Sequence, residues 1–177
     1  GIRQPLEMQV ALGPGGTPVL LDHRWGPLAI GIEITERSGE DRRTAAVSVK
    51  FRNDGKTPIP LVLLPQNRSF HLIPVSYGWH WKRPREPAPE PAPEDVHLLQ
   101  PGKIHALTVD LTDPRWTVYT DRRKEPPATI PELEPHTAWR FEYRPPPENQ
   151  LRTLPHADDI WRDTLATSAF TSRGRID

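Results

Sequence analysis

The chain has 177 residues, no cysteine, and 23 basic against 23 acidic side chains, so its formal charge is zero. That length suits one domain. The charge balance argues against a nucleic-acid or acidic-membrane binder driven by bulk electrostatics, and the missing thiols exclude disulfides, thiolate metal sites and cysteine nucleophiles. The 23 prolines exclude long helices, because an interior proline removes a backbone donor and clashes with the preceding turn. No apolar run reaches the ~18 residues that would span a bilayer.

In chain order, "LEMQVAL" near the N-terminus reads as a first strand. "LAIGIEIT" is the cleanest signal: Leu28, Ile30, Ile32 and Ile34 share one face, and Ala29, Gly31, Glu33 and Thr35 share the other. This is period two with one face buried. "ERSGEDRR" supplies a polar turn, and "AAVSVKF" repeats the alternation through Val47, Val49 and Phe51. In "RNDGKTP", Asn53-Asp54-Gly55 is expected to supply positive φ in a hairpin turn. "IPLVLL", with Pro58 and Pro60 at its start, reads as an edge or bent strand, and "SFHLIPV" as a further short one.

Next comes "WHWKRPREPAPEPAPEDVHLLQPGK", residues 79–103. Its Pro/Ala/Glu core cannot bury a side-chain face and is expected to be extended, polyproline-like and solvated. Strand patterning resumes in "KIHALTVDL" at Ile104, Leu107, Val109 and Leu111. "RWTVYT" is a possible short strand and "PELEP" a turn. "AWRFEYR" puts Trp139, Phe141 and Tyr143 on one face, and "DTLATSAFTS", anchored at Leu165, closes the series. The one candidate helical turn is "ADDIWRDTL", after Pro155. The expectation is an all-β, antiparallel sandwich of about seven to nine strands. Neither half has enough apolar residues to bury a core comfortably alone. Residues 1–177 are therefore read as a single domain, with the Pro/Glu-rich stretch at about 82–97 as a loop within it and an interdomain linker as the lesser reading.

Three pieces, "VKFRNDGKTPIPL", "LLQPGKIHALTVDL" and "WRFEY" followed by "IWRDTLATSAF", resemble bacterial immunoglobulin-like β-sandwich domains of the exported-protein type. More loosely, they resemble bacterial intracellular proteinase inhibitor domains. The resemblance spans about residues 28 to 172 and departs from the pattern at Asp163, where glycine is more usual, and in the length of the Pro/Glu loop. It implies an Ig-like sandwich and brings no catalytic site. With an opening Gly1 in place of methionine, it also implies a periplasmic or secreted protein from which an export segment has been removed.

The motifs of chemistry are sparse. His23, His71, His80, His97, His105, His136 and His156 show no HExxH or HxH spacing. A structural or surface role is the leading expectation for each; the lesser expectations are that His71 and His105 approach each other across a sheet and that His156 with Asp158 and Asp159 binds a cation with oxygen donors. There is no GxSxG, and "GPGG" lacks the Lys-Ser/Thr of a phosphate loop. No cofactor, catalytic residue or metal ligand is assigned. In "YGWHW" the alternation would put Tyr77, Trp79 and Trp81 on one strand face, with Lys82, Arg83 and Arg85 as a basic rim. Such a row either packs against the sandwich edge, anchors a protein interface or stacks on sugar rings. The leading expectation is a non-enzymatic accessory or binding module for another protein. A carbohydrate-binding module using the aromatic row is the alternative, and a protease inhibitor or metal-binding protein comes further down.

Overall fold

The period-two stretches become strands in the computed structural model, which describes residues 3–12, 18–75, 80–82, 89–113, 117–120, 123–128 and 138–175. Before the proline tract these are β1 (Arg3–Leu12), β2 (Pro18–Trp25), β3 (Leu28–Ser38), β4 (Arg43–Asn53), β5 (Ile59–Val62), β6 (Phe70–Pro74) and β7 (His80–Lys82). After it come β8 (Val96–Leu99), β9 (Ile104–Asp110), β10 (Thr117–Thr120), β11 (Arg123–Ala128) and β12 (Ala138–Tyr143). The helical turn α1 (Glu148–Leu151) and β13 (Leu165–Ala166), β14 (Phe170–Thr171) and β15 (Gly174–Arg175) follow. Among the described residues, no helix is long and apolar enough to cross a membrane.

The molecule is all-β and sandwich-like. One antiparallel sheet has the order β1-β2-β3-β4-β9. A second is centred on β12, with β6 on one side, β13 and β14 on the other, and β15 beyond β14. Two smaller groups are β11-β10-β7 and the ribbon β5-β8. Pairing of Ile30 with Phe51 and Ile32 with Val49 fixes which side chains share a face. Leu28, Ile30, Ile32, Val47, Val49 and Phe51 are fully buried there. Trp139, Phe141 and Tyr143 of β12 are equally buried, as their alternation requires. The two sheets meet where Phe51 packs its ring centroid 6.0 Å from Phe70 and 5.4 Å from Tyr143. One core cluster takes residues from both sides of the proline tract, Leu28 to Leu72 and Leu99 to Phe170. Burying each such Leu, Ile or Phe stabilises the fold by about 1.5–3 kcal/mol.

Several expectations are corrected. Asn53-Asp54-Gly55 is not a positive-φ hairpin turn, since Gly55 lacks positive φ and β5 pairs with β8, not with β4. Instead Asn53, fully buried, accepts the Gly55 N–H through Oδ1 at 2.8 Å. Its Nδ2 donates to the carbonyls of Thr57 and Leu99 at 2.8 and 2.9 Å. Glycine is needed at 55 for a different reason, because a Cβ there would lie 2.8 Å from the Pro27 Cβ. Positive φ occurs instead at Gln66 and Asn67, in the turn after β5, and at Gly102 between β8 and β9.

The "DTLATSAFTS" strand is split into β13 and β14. At the break, buried Thr167 uses its backbone N–H on the Phe141 carbonyl at 2.9 Å and its hydroxyl to accept the Phe141 N–H at 3.1 Å. The helical turn sits at Glu148–Leu151, while in "ADDIWRDTL" the chain makes only a closed turn, with His156 O accepting the N–H groups of Asp159 and Ile160. The loop is shorter than 82–97, because Val96 and His97 already belong to β8. The turn expected in "PELEP" lies outside the described residues.

Candidate functional site

Three features meet around β8. The first is the base of the proline loop. Pro93–Asp95 forms a 3-10 turn in which the Asp95 carboxylate accepts the Ala92 N–H at 2.8 Å. The Asp95 carbonyl accepts the Leu63 N–H at 2.9 Å. The first bond closes the turn on itself, and the second fastens the end of the tract to the segment after β5. Ahead of them the chain is extended at Ala92, and Pro89, Glu90, Pro93 and Glu94 are exposed.

The second is a histidine pair. β8 runs against β5 with His97 opposite Leu61 and Leu99 opposite Ile59, so His97 and Leu99 turn inward and Leu98 outward. His105 stands opposite Phe51 on β9. The two imidazoles meet with ring centroids 5.1 Å apart and planes tilted by 38°. His105 Nε2 is buried without a hydrogen-bond partner. Burial, and then the neighbouring His97, hold the His105 imidazole below its ordinary pKa. The expected approach of His71 to His105 is therefore wrong: His71 pairs with Glu142 on the other sheet, and His97 takes that place. Among the described residues no group of three histidine or acidic side chains is arranged to hold a metal ion.

The third is a cleft of about 480 Å³ between the β5–β8 ribbon and the segment 156–161. Pro27, Pro58, Ile59, Pro60, Leu98 and the Trp161 indole supply its apolar lining, and Thr57, His156 and Asp159 its polar groups. Leu98 is 41% exposed there, one of two large exposed hydrophobic side chains among the described residues.

The wall made by 156–161 is well anchored. Leu151, Leu154 and Ile160 are buried with Val62 in a small satellite core. The Trp161 N–H donates to the Pro60 carbonyl at 2.9 Å, and its Nε1–H donates to the Asp163 carbonyl at 2.9 Å. Arg162 donates to the carbonyls of Ala157 and Ile160 at 2.7 and 2.9 Å. The same guanidinium grips the Glu148 carboxylate at 2.6 and 3.1 Å, which lowers the Glu148 pKa. His156 itself is held in the left-handed region at φ 57°.

Of the residues singled out in the sequence, Tyr77, Trp79, Arg83 and Arg85 lie outside the described residues. Trp81 and Lys82 fall in β7, opposite Val118 and Thr117 of β10. Of the set His156, Asp158 and Asp159, His156 and Asp159 line the cleft together with Trp161 and Asp158 does not, and no metal-holding group forms there among the described residues. Trp161 entered the sequence reading only through the resemblance, as the tryptophan of "IWRDTLATSAF" ahead of the final strand, and not as a site residue; the prolines that line the cleft with it lie far earlier in the chain. No family model, no curated protein and no solved structure matches the chain.

Proposed function

We propose that this protein is a non-enzymatic binding module that presents its proline/glutamate loop to another protein. One observation carries the reading: the tract ends in a hydrogen-bonded anchor, and Pro89, Glu90, Pro93 and Glu94 before and within it are exposed. An extended proline segment loses little entropy on docking, and aromatic-lined grooves are the usual receptors for it. Exposed Glu90 and Glu94 favour a partner groove with a basic rim. The strand order β3-β4-β9 facing β6-β12-β13/β14 supports the immunoglobulin-like assignment as part of the same proposal. An extracytoplasmic setting, which the resemblance to exported domains implies, belongs to the same proposal, and cell fractionation with an epitope tag would check it.

The test replaces residues 84–91 with an equally long Gly/Ser segment and leaves the Ala92–Asp95 anchor intact. The melting temperature should be unchanged. A partner captured by the wild-type protein should be lost from the variant and displaced by a synthetic peptide of residues 84–95. Equal capture by both proteins would end the proposal.

A further inference from the structure

The cleft beside β8 has a composition that the loop reading does not use. Its apolar lining is prolines, Ile59 and Leu98, together with Trp161, which is half-buried and also packs against the main core. Because the indole N–H is already committed to the Asp163 carbonyl, Trp161 offers its ring and not a donor. His156 and Asp159, both exposed, are the cleft's charged and titratable lining residues. Thr57, just before β5, lines it too.

His156 adopts φ 57°, a conformation costly for most side chains and free for glycine. The backbone alone would be better served by glycine there. The imidazole is the part that such a substitution would remove, and it sits on the cleft.

An amphipathic guest fits this arrangement: one apolar face for the indole and prolines, and an edge of hydroxyls for an imidazole, a carboxylate and a threonine. A quaternary ammonium guest fits less well, because it is held by several aromatic faces and here there is one. A metal ion fits less well still, with one carboxylate and one imidazole over a hydrophobic floor. The volume of about 480 Å³ is in the range of small-ligand pockets and larger than one sugar ring needs. We propose that the cleft between the β5–β8 ribbon and residues 156–161 is a saccharide site, with Trp161 as the stacking platform and His156, Asp159 and Thr57 as the hydroxyl-binding groups.

The experiment is an NMR titration of the full chain, reading the indole N–H signals of its six tryptophans. The Trp161 signal is assigned by Trp161→Phe, or by backbone-directed assignment if that variant does not fold. The probes are methyl β-D-glucopyranoside, methyl β-D-galactopyranoside, N-acetylglucosamine and cellobiose, with tetramethylammonium chloride as the competing class. The expected result is a saturable shift of the Trp161 signal with at least one saccharide. His156→Gly and Asp159→Asn should each weaken that binding by about tenfold or more, and His156→Gly should melt no lower than wild type. No Trp161 response to any saccharide would overturn the proposal. So would a response that survives both substitutions, or one produced by the ammonium ion alone. The loop replacement at 84–91 leaves this titration unaffected, so the two proposals fail separately.

Discussion

At the residue scale, Asn53 does the most with one side chain. It closes its own turn, then donates to Thr57 and to Leu99, which lies 46 positions further on. Asn53→Ala would leave one buried N–H and two carbonyls without these partners. At about 1 kcal/mol for each bond, a loss of about 3 kcal/mol is expected in urea unfolding. Asn53→Asp should recover only part of it, because a carboxylate accepts but cannot donate. The sequence pointed to this residue as a turn former through its backbone. Its larger role depends on Leu99 arriving from elsewhere, which no local pattern encodes. His105 supplies a pH dependence. Its folded pKa is lowered from 6.5, so the unfolded chain binds the proton more readily. Stability should be complete above about pH 6.5 and fall as the pH drops from there toward the folded value. Urea midpoints measured across that window should show the loss, and His105→Leu should flatten it.

At the element scale, alternation marked the strands that have one covered face. β3, β4, β6, β9 and β12 were legible because each pairs side chains of period two with a flanking turn. β8 was not, because Val96–Leu99 is short and follows directly on the proline tract. What makes it a strand is the ladder to β5, with Val62 opposite Val96 and Ile59 opposite Leu99. The last strand failed in the opposite sense: its pattern was continuous, but Thr167 breaks it by binding β12 through both backbone and hydroxyl. Thr167→Val keeps the shape and removes the acceptor of the buried Phe141 N–H. A cost of about 1–3 kcal/mol is expected, read from the urea midpoint with an unchanged slope.

For the molecule as a whole, the core cluster joins Leu28, Phe51 and Phe70 to Trp139, Phe141 and Phe170 across the proline tract. Neither side then holds a complete core. Residues 1–88 and 89–177 expressed separately should each lack a cooperative thermal transition. A sharp transition in either fragment would show an independent domain and overturn the single-domain expectation. Phe141 is fully buried between β6 and β14 and touches the rings of Phe70 and Phe170. Phe141→Ala should cost about 3–5 kcal/mol, measured by chemical denaturation.

The sequence by itself determined the class of fold. Period-two hydrophobicity and proline density are local properties, and they dictate short strands, stiff connections and the faces that turn inward. It also marked the tract whose described end, residues 89–95, is anchored by hydrogen bonds. Only the tertiary structure decided which strands pair, that His97 and not His71 meets His105, and that Trp161, His156 and Asp159 share a cleft with Pro58, Pro60 and Leu98. Those meetings join residues far apart in the chain. They are set by ladder register and by how the ribbon packs against the 156–161 turn, and no spacing along the sequence carries that information.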